Sequence, residues 1–209
     1  MERKRLKREY LHVHGRGRPS FGGSQSWLRG RTERDFGCGL IACADVLLYL
    51  TGRTELTREE YLKFVRQCKR YFPQLPRMGI DGLRLAWGIN RCFARQGIDR
   101  RAHWCAAGAQ FWPRIEQMLS RDCPAVISIG PNFPLLWQKN ELPLYRRTLE
   151  GTYVVDSRVK GHYVTVTALD EHRAEVSSWG RRLYIDRQEF DSYVKKHSIW
   201  LLCNILYIE

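Results

Sequence analysis

Residues 124–130 read Pro124-Ala125-Val126-Ile127-Ser128-Ile129-Gly130. A short apolar, β-branched run bounded by proline and glycine predicts a buried strand. It also marks the point where the period of the chain changes. Upstream, apolar residues recur at helical spacing. Gln110–Ser120 predicts a helix with Pro113 in its first turn, and another runs from Asp81 to about Gln96 with Gly97 beyond it. A third follows Thr57, where Glu60 completes a capping box and Tyr61, Phe64, Val65 and Cys68 form the apolar stripe. Gly39–Leu50 carries Leu40, Cys43, Leu47 and Leu50 on one face, widened by Ile41, Val46 and Leu48. It is apolar nearly all round, which predicts a central, buried helix ended by Gly52. Downstream the signals are those of strands: Tyr163–Leu169, Ala174–Ser178, Arg182–Asp186 and Ile199–Ile208, with a short helix at Gln188–Lys195. Residues 131–160 read as a long irregular connection. Helices first and strands second predict an α+β fold with an antiparallel sheet.

The chain has 209 residues, enough for a buried core without disulfides or metal. Lys and Arg number 35 against 22 Asp and Glu, a net charge of +13. That balance is compatible with nucleic acid, an anionic membrane or acidic substrates, and selects none of them. No apolar run approaches the roughly 18 residues of a membrane span. The basic stretch 1–10 is not followed by the apolar segment and cleavage site of a secretory signal, so the expected location is cytoplasmic. The seven cysteines are scattered, without a CxxC pair, which predicts free thiols and no metal module. Residues 1–20 hold seven basic and two acidic side chains and read as a basic flexible or surface arm. Residues 21–209 then form one domain, with a helical lobe over about 21–122 and a sheet lobe over about 123–209.

Cys38 stands in Asp35-Phe36-Gly37-Cys38-Gly39-Leu40, directly ahead of the buried helix. A thiol at a helix N-terminus feels the positive end of the macrodipole, which favours the nucleophilic thiolate. His162 opens a strand far downstream, where a cysteine's imidazole partner would stand. Val176-Ser177-Ser178-Trp179-Gly180 lies on the next strand, and an antiparallel return of that length brings Ser177 or Ser178 beside the imidazole. A hydroxyl there fixes the tautomer of the ring, and Trp179 covers the bond. Taken singly, each motif also has a plain structural reading: a capping cysteine, a strand-end histidine, two polar strand residues and a core tryptophan.

Taken together, Gly37-Cys38-Gly39 before a buried helix, Gly161-His162-Tyr163 on a strand, and Ser177-Ser178-Trp179-Gly180 on the next resemble the papain-like cysteine peptidases. Within them the closest resemblance is to the bacterial branch that includes the double-glycine leader peptidases. There a Cys-Gly step opens the helix, as Cys38-Gly39 does here, with a Tyr and a Gly at its end, here Tyr49 and Gly52, and Arg121–Ile127 resembles the strand ahead of the histidine. The resemblance covers residues from about 21 to the C-terminus. It implies a papain-like fold and a peptide or protein amide substrate, with Cys38 as nucleophile and His162 as general base and then acid. It also implies an oxyanion-hole glutamine upstream of the cysteine, for which Gln25 is the candidate. Gln25 lies thirteen residues ahead of Cys38, about twice the usual gap, so an inserted loop over Leu28–Arg34 is implied. The orienting Asn or Asp of the family is matched by Ser177, a weaker acceptor, with Asp156 as a possible substitute. That departure leaves a non-catalytic binding protein of the same fold as the alternative.

Other features carry less. Arg16-Gly17-Arg18-Pro19 resembles the core of a minor-groove hook and supports, as a third reading, a nucleic-acid-associated protein acting through its arm. Arg91, Arg95, Arg100 and Arg101 read as a solvated face. His103-Trp104-Cys105 lacks a second ligand pair, so neither a metal nor a cofactor is predicted. Trp87, Trp112, Trp137 and Trp200 read as core or cleft-wall residues. Asp45, on an otherwise apolar helix seven residues from Cys38, must be hydrogen-bonded or at the surface.

Overall fold

The computed structural model describes residues 3–15, 17–73, 79–105 and 108–209, the side chain of Cys105 excepted. The chain opens with three short strands, β1 (Lys4–Arg5), β2 (His12–His14) and β3 (Ser20–Phe21). The basic N-terminal stretch thus carries two of these strands within residues 3–14. Leu6, Tyr10, Leu11 and Val13 are all buried, because these apolar side chains punctuate the basic residues and turn inward while the charges stay in water. A tight turn over Gln25–Trp27 leads to α1 (Arg31–Phe36) and α2 (Cys38–Leu50). Next come β4 (Glu55–Thr57), α3 (Arg58–Lys69), α4 (Gly82–Gln96), β5 (Ala102–Cys105) and α5 (Phe111–Ser120). The sheet half supplies β6 (Ala125–Ile129), β7 (Leu142–Arg147), β8 (Tyr153–Val159), β9 (His162–Leu169), β10 (Arg173–Ser178), β11 (Arg181–Asp186), α6 (Arg187–His197) and β12 (Ile205–Ile208).

The local chemistry explains these boundaries. Thr57 and Glu60 exchange both bonds of the predicted capping box at the start of α3. Gly97 ends α4 in the left-handed conformation that a C-terminal glycine adopts freely. Residues 39–49 of α2 are all buried, so this helix is the axis of the core. Each of its fully buried leucines contributes about 1.5–3 kcal/mol.

The main sheet runs β5-β12-β6-β9-β10-β11-β7-β8, and β1 pairs antiparallel with the far end of β9 through Lys4–Leu169 and Arg5–Ala168. All of its described pairings are antiparallel. A second, three-stranded sheet runs β3-β2-β4. Two expectations need correction. Residues 131–160 are not wholly irregular: they contain the β7–β8 hairpin, which Pro143 and the run of basic residues obscure in the sequence. The helical lobe also lends a strand to the sheet, since β5 pairs with β12.

Candidate active site

Cys38 is the first residue of α2, and Gly37 is its cap without a side-chain bond to the first turn. The free N–H groups of that turn therefore act on the segment bearing the thiol. Gly37 permits a close approach: a Cβ there would stand 2.3 Å from the Glu33 carbonyl oxygen of α1.

His162 is the first residue of β9 and pairs with Ile129 of β6. Its ring is buried, 7% exposed. Nε2 and the Ser178 hydroxyl are hydrogen-bonded at 2.8 Å, and the Trp179 ring stacks on the imidazole at 4.6 Å between centroids and 22° between planes. Trp179 and Gly180 are the two turn residues between β10 and β11, with φ of 51° and 72°. A two-residue hairpin of this hand needs positive φ at both positions. That geometry is uncommon for an indole, and here it lays the ring on His162.

Cys38, His162, Ser178, Trp179 and Gln25 line one narrow cleft. The cavity beneath them holds about 10 Å³, room for about one water. Burial pushes the Cys38 thiol up, against the lowering effect of the backbone N–H groups of Tyr163, Gly39 and Cys38 itself. Burial alone pulls His162 down to about 4. Both shifts favour a neutral thiol beside a neutral imidazole.

The serine on the imidazole is Ser178. Ser177, the position matched by the family motif, points the other way and donates to the Phe21 carbonyl at 2.9 Å. Asp156 is also occupied elsewhere: its carboxylate pairs with Arg181 at 2.9 Å. Gln25 lies in the turn after β3, where its amide donates to the Arg34 carbonyl at 2.6 Å. The doubled spacing between Gln25 and Cys38 is taken up by α1, whose final turn the Gln25 amide holds.

Asp45 is buried two helical turns beyond Cys38 and lines the same cleft. It accepts from the Tyr61 hydroxyl at 2.6 Å, from the Tyr10 hydroxyl at 3.1 Å, and from the Gly23 N–H at 3.1 and 3.2 Å. Burial raises its carboxyl to about 6, although those three donors favour the anion. The segment Phe21–Gln25 is thus held from both halves of the fold. Asp45 takes Gly23, Ser177 takes Phe21, and the Phe21 N–H donates to the Gly180 carbonyl at 2.8 Å. Gly22, at φ 76°, has no room for a side chain: a Cβ would lie 2.3 Å from Ser177 Oγ and 2.5 Å from Asp45 Oδ2. Gly22→Ala is therefore expected to destabilise the chain by about 2 kcal/mol or more, read as a lower urea midpoint at unchanged slope.

The remaining sequence candidates are dispersed. Arg16 of the hook-like stretch lies outside the described residues, and Arg18 is exposed. His103 pairs with the Glu209 carboxylate at 3.0 Å. The Arg91 guanidinium lies over the Trp87 ring at 4.9 Å. Trp112 is buried and Trp200 packs on the core, but Trp87 and Trp137 are exposed. Among the described residues no helix is long and apolar enough to cross a membrane.

The architecture falls in the mixed class of helices packed on an antiparallel sheet, with a cysteine at the head of the buried helix. A solved structure shares it from end to end: a candidate C39-like peptidase from Bacillus anthracis, at a TM-score of 0.55 and 10% identity, covering 100% of this chain and 98% of that one. At that identity the likeness is one of fold. No family model matches the sequence, and no curated protein matches it.

Proposed function

We propose that the chain is a cysteine peptidase or related amide hydrolase of papain-like, C39-like architecture. The observation that carries this reading is the meeting of Cys38 and His162 in one cleft, with the second imidazole nitrogen held by Ser178 under the Trp179 ring. The fold likeness to a candidate C39-like peptidase supports it. With Nε2 engaged by Ser178, Nδ1 is the nitrogen left to take the thiol proton. Sulfur attacks the amide carbonyl, and the tetrahedral oxyanion is met by the Cys38 N–H and by the Gln25 amide once its Nε2 turns from the Arg34 and Asp35 carbonyls. His162 then protonates the leaving amine, and water releases the acyl group from sulfur under the same base. Loss of one oxyanion donor is worth roughly 3–4 kcal/mol.

A second reading, binding without turnover, is favoured by one feature: among the described residues the imidazole has a hydroxyl partner and no carboxylate. A single experiment separates the two. Iodoacetamide labelling followed by peptide mapping is expected to modify Cys38 faster than the other thiols. On a peptide library, Cys38→Ala is expected to lose at least about 10³-fold in cleavage. Labelling without selectivity for Cys38, or unchanged cleavage by Cys38→Ala, overturns the peptidase reading. Selective labelling without any cleavage selects the binding reading.

A further inference from the structure

The three-stranded sheet carries a cluster that the cleft does not use. His12 and His14 are two residues apart on β2, so they share one face, and the parallel pairing sets Glu55 of β4 directly opposite His12. Val13 and Leu56, on the opposite face, are buried in the core, which holds the histidines and Glu55 outward. His12 Nδ1 lies 3.0 Å from one Glu55 oxygen, and His14 Nε2 is bonded to the other. Glu9 completes the group: donor atoms of Glu9, His12 and Glu55 all lie within 4.8 Å of one another.

Two carboxylates at that separation repel each other unless a cation stands between them. The donor set is imidazole nitrogen and carboxylate oxygen, which suits a zinc-class ion better than calcium or magnesium. Donors that share a tetrahedral zinc stand roughly 3.3 Å apart, and the Glu9, His14 and Glu55 side chains, all exposed, are free to adjust to that spacing around His12. We propose that His12, His14, Glu55 and Glu9 form a surface site for a divalent zinc-class ion, which staples the N-terminal strand β2 to β4. The site is independent of the peptidase reading. Its structural effect is to fasten the strand that pairs with β3, and through β3 the segment leading to Gln25.

The test is a zinc titration of the full chain against a chromophoric chelator, alongside His12→Ala/His14→Ala and Glu55→Gln. These positions are partly or fully exposed, so both variants are expected to keep the wild-type circular dichroism spectrum and metal-free melting temperature. Cys68 and Cys92, hydrogen-bonded to each other, are the competing soft ligands. Cobalt spectra distinguish the two sources, because thiolate ligation gives a strong near-ultraviolet charge-transfer band and an N/O site does not. The expected result is one equivalent of zinc bound by the wild type, with at least tenfold weaker binding in both variants. Cobalt should show no thiolate band. Zinc should also slow tryptic cleavage within residues 3–8 of the wild type only. Equal zinc affinity in the His variant, a thiolate band accounting for the bound equivalent, or no binding at all would each reject the site and leave imidazole–carboxylate ion pairs alone.

Discussion

Asp45→Asn is expected to stabilise the chain near pH 7 relative to acid pH, and His162→Gln to do the reverse. The two wild-type groups oppose each other across one pH window. Asp45 is raised from 3.8 to about 6 in the folded chain. The folded state therefore holds a proton that the unfolded state releases, and this contribution is present at low pH and lost as pH climbs through about 6. His162 is lowered from 6.5 to about 4. Its contribution is present above 6.5 and lost as pH falls through about 4. Each is worth on the order of 3 kcal/mol by the pKa–energy relation, and together they nearly cancel. Removing one exposes the other. Urea unfolding at pH 4, 5, 6 and 7 reads the difference from wild type: for Asp45→Asn that difference should rise with pH, and for His162→Gln it should fall. Parallel curves for all three proteins would mean that neither group is buried as described.

Ser178→Asp is expected to raise the alkylation rate of Cys38 at pH 7 by at least about tenfold. In the wild type the imidazole meets only a hydroxyl, and burial disfavours its charge. A carboxylate at the same position stabilises the imidazolium by the equivalent of about 1–3 pKa units, which draws the thiol proton across. The wild-type rate should climb through the alkaline range, following a thiol pushed up by burial. The variant's rate should level off at lower pH. Ser178→Ala leaves the ring nitrogen unpaired and should slow the reaction instead. Equal rate–pH profiles for the wild type and Ser178→Asp, with both folded, would mean that Ser178 does not govern the imidazole.

Much of this site is readable from residues alone, and the unread parts have physical causes. Cys38 at the head of a nearly all-apolar helix, His162 at a strand start and the Thr57/Glu60 capping box are local signals, and each occupies the element the sequence predicts for it. The choice between Ser177 and Ser178 is not local. Neighbouring strand residues face opposite sides, and the β9–β10 pairing slips by one residue at Thr167, between Glu175–Ala168 and Val176–Val166, so counting from His162 across to β10 does not tell which serine it meets. No count along the sequence reveals that irregularity. The helix α1 went unseen because Arg31-Thr32-Glu33-Arg34-Asp35-Phe36 has no apolar stripe; it rests on α2 and on the Gln25 amide. The strand β5 is four residues long, and β12 supplies its reason to be extended. Asp45 was legible as an anomaly, but its partners Tyr10 and Tyr61 come from segments only the tertiary fold brings near.

The position of β12 has a consequence for how the chain is made. This strand, residues 205–208, slots between β5, which precedes it by about 100 positions, and β6, which precedes it by about 80. While the ribosome is still working, β5 and β6 each present a bare ladder of backbone donors and acceptors. Sequence-distant pairing of this kind slows folding and leaves adhesive edges open meanwhile. Nascent chains stalled before residue 205 should therefore be captured by chaperones, and the sheet should close only once β12 has emerged.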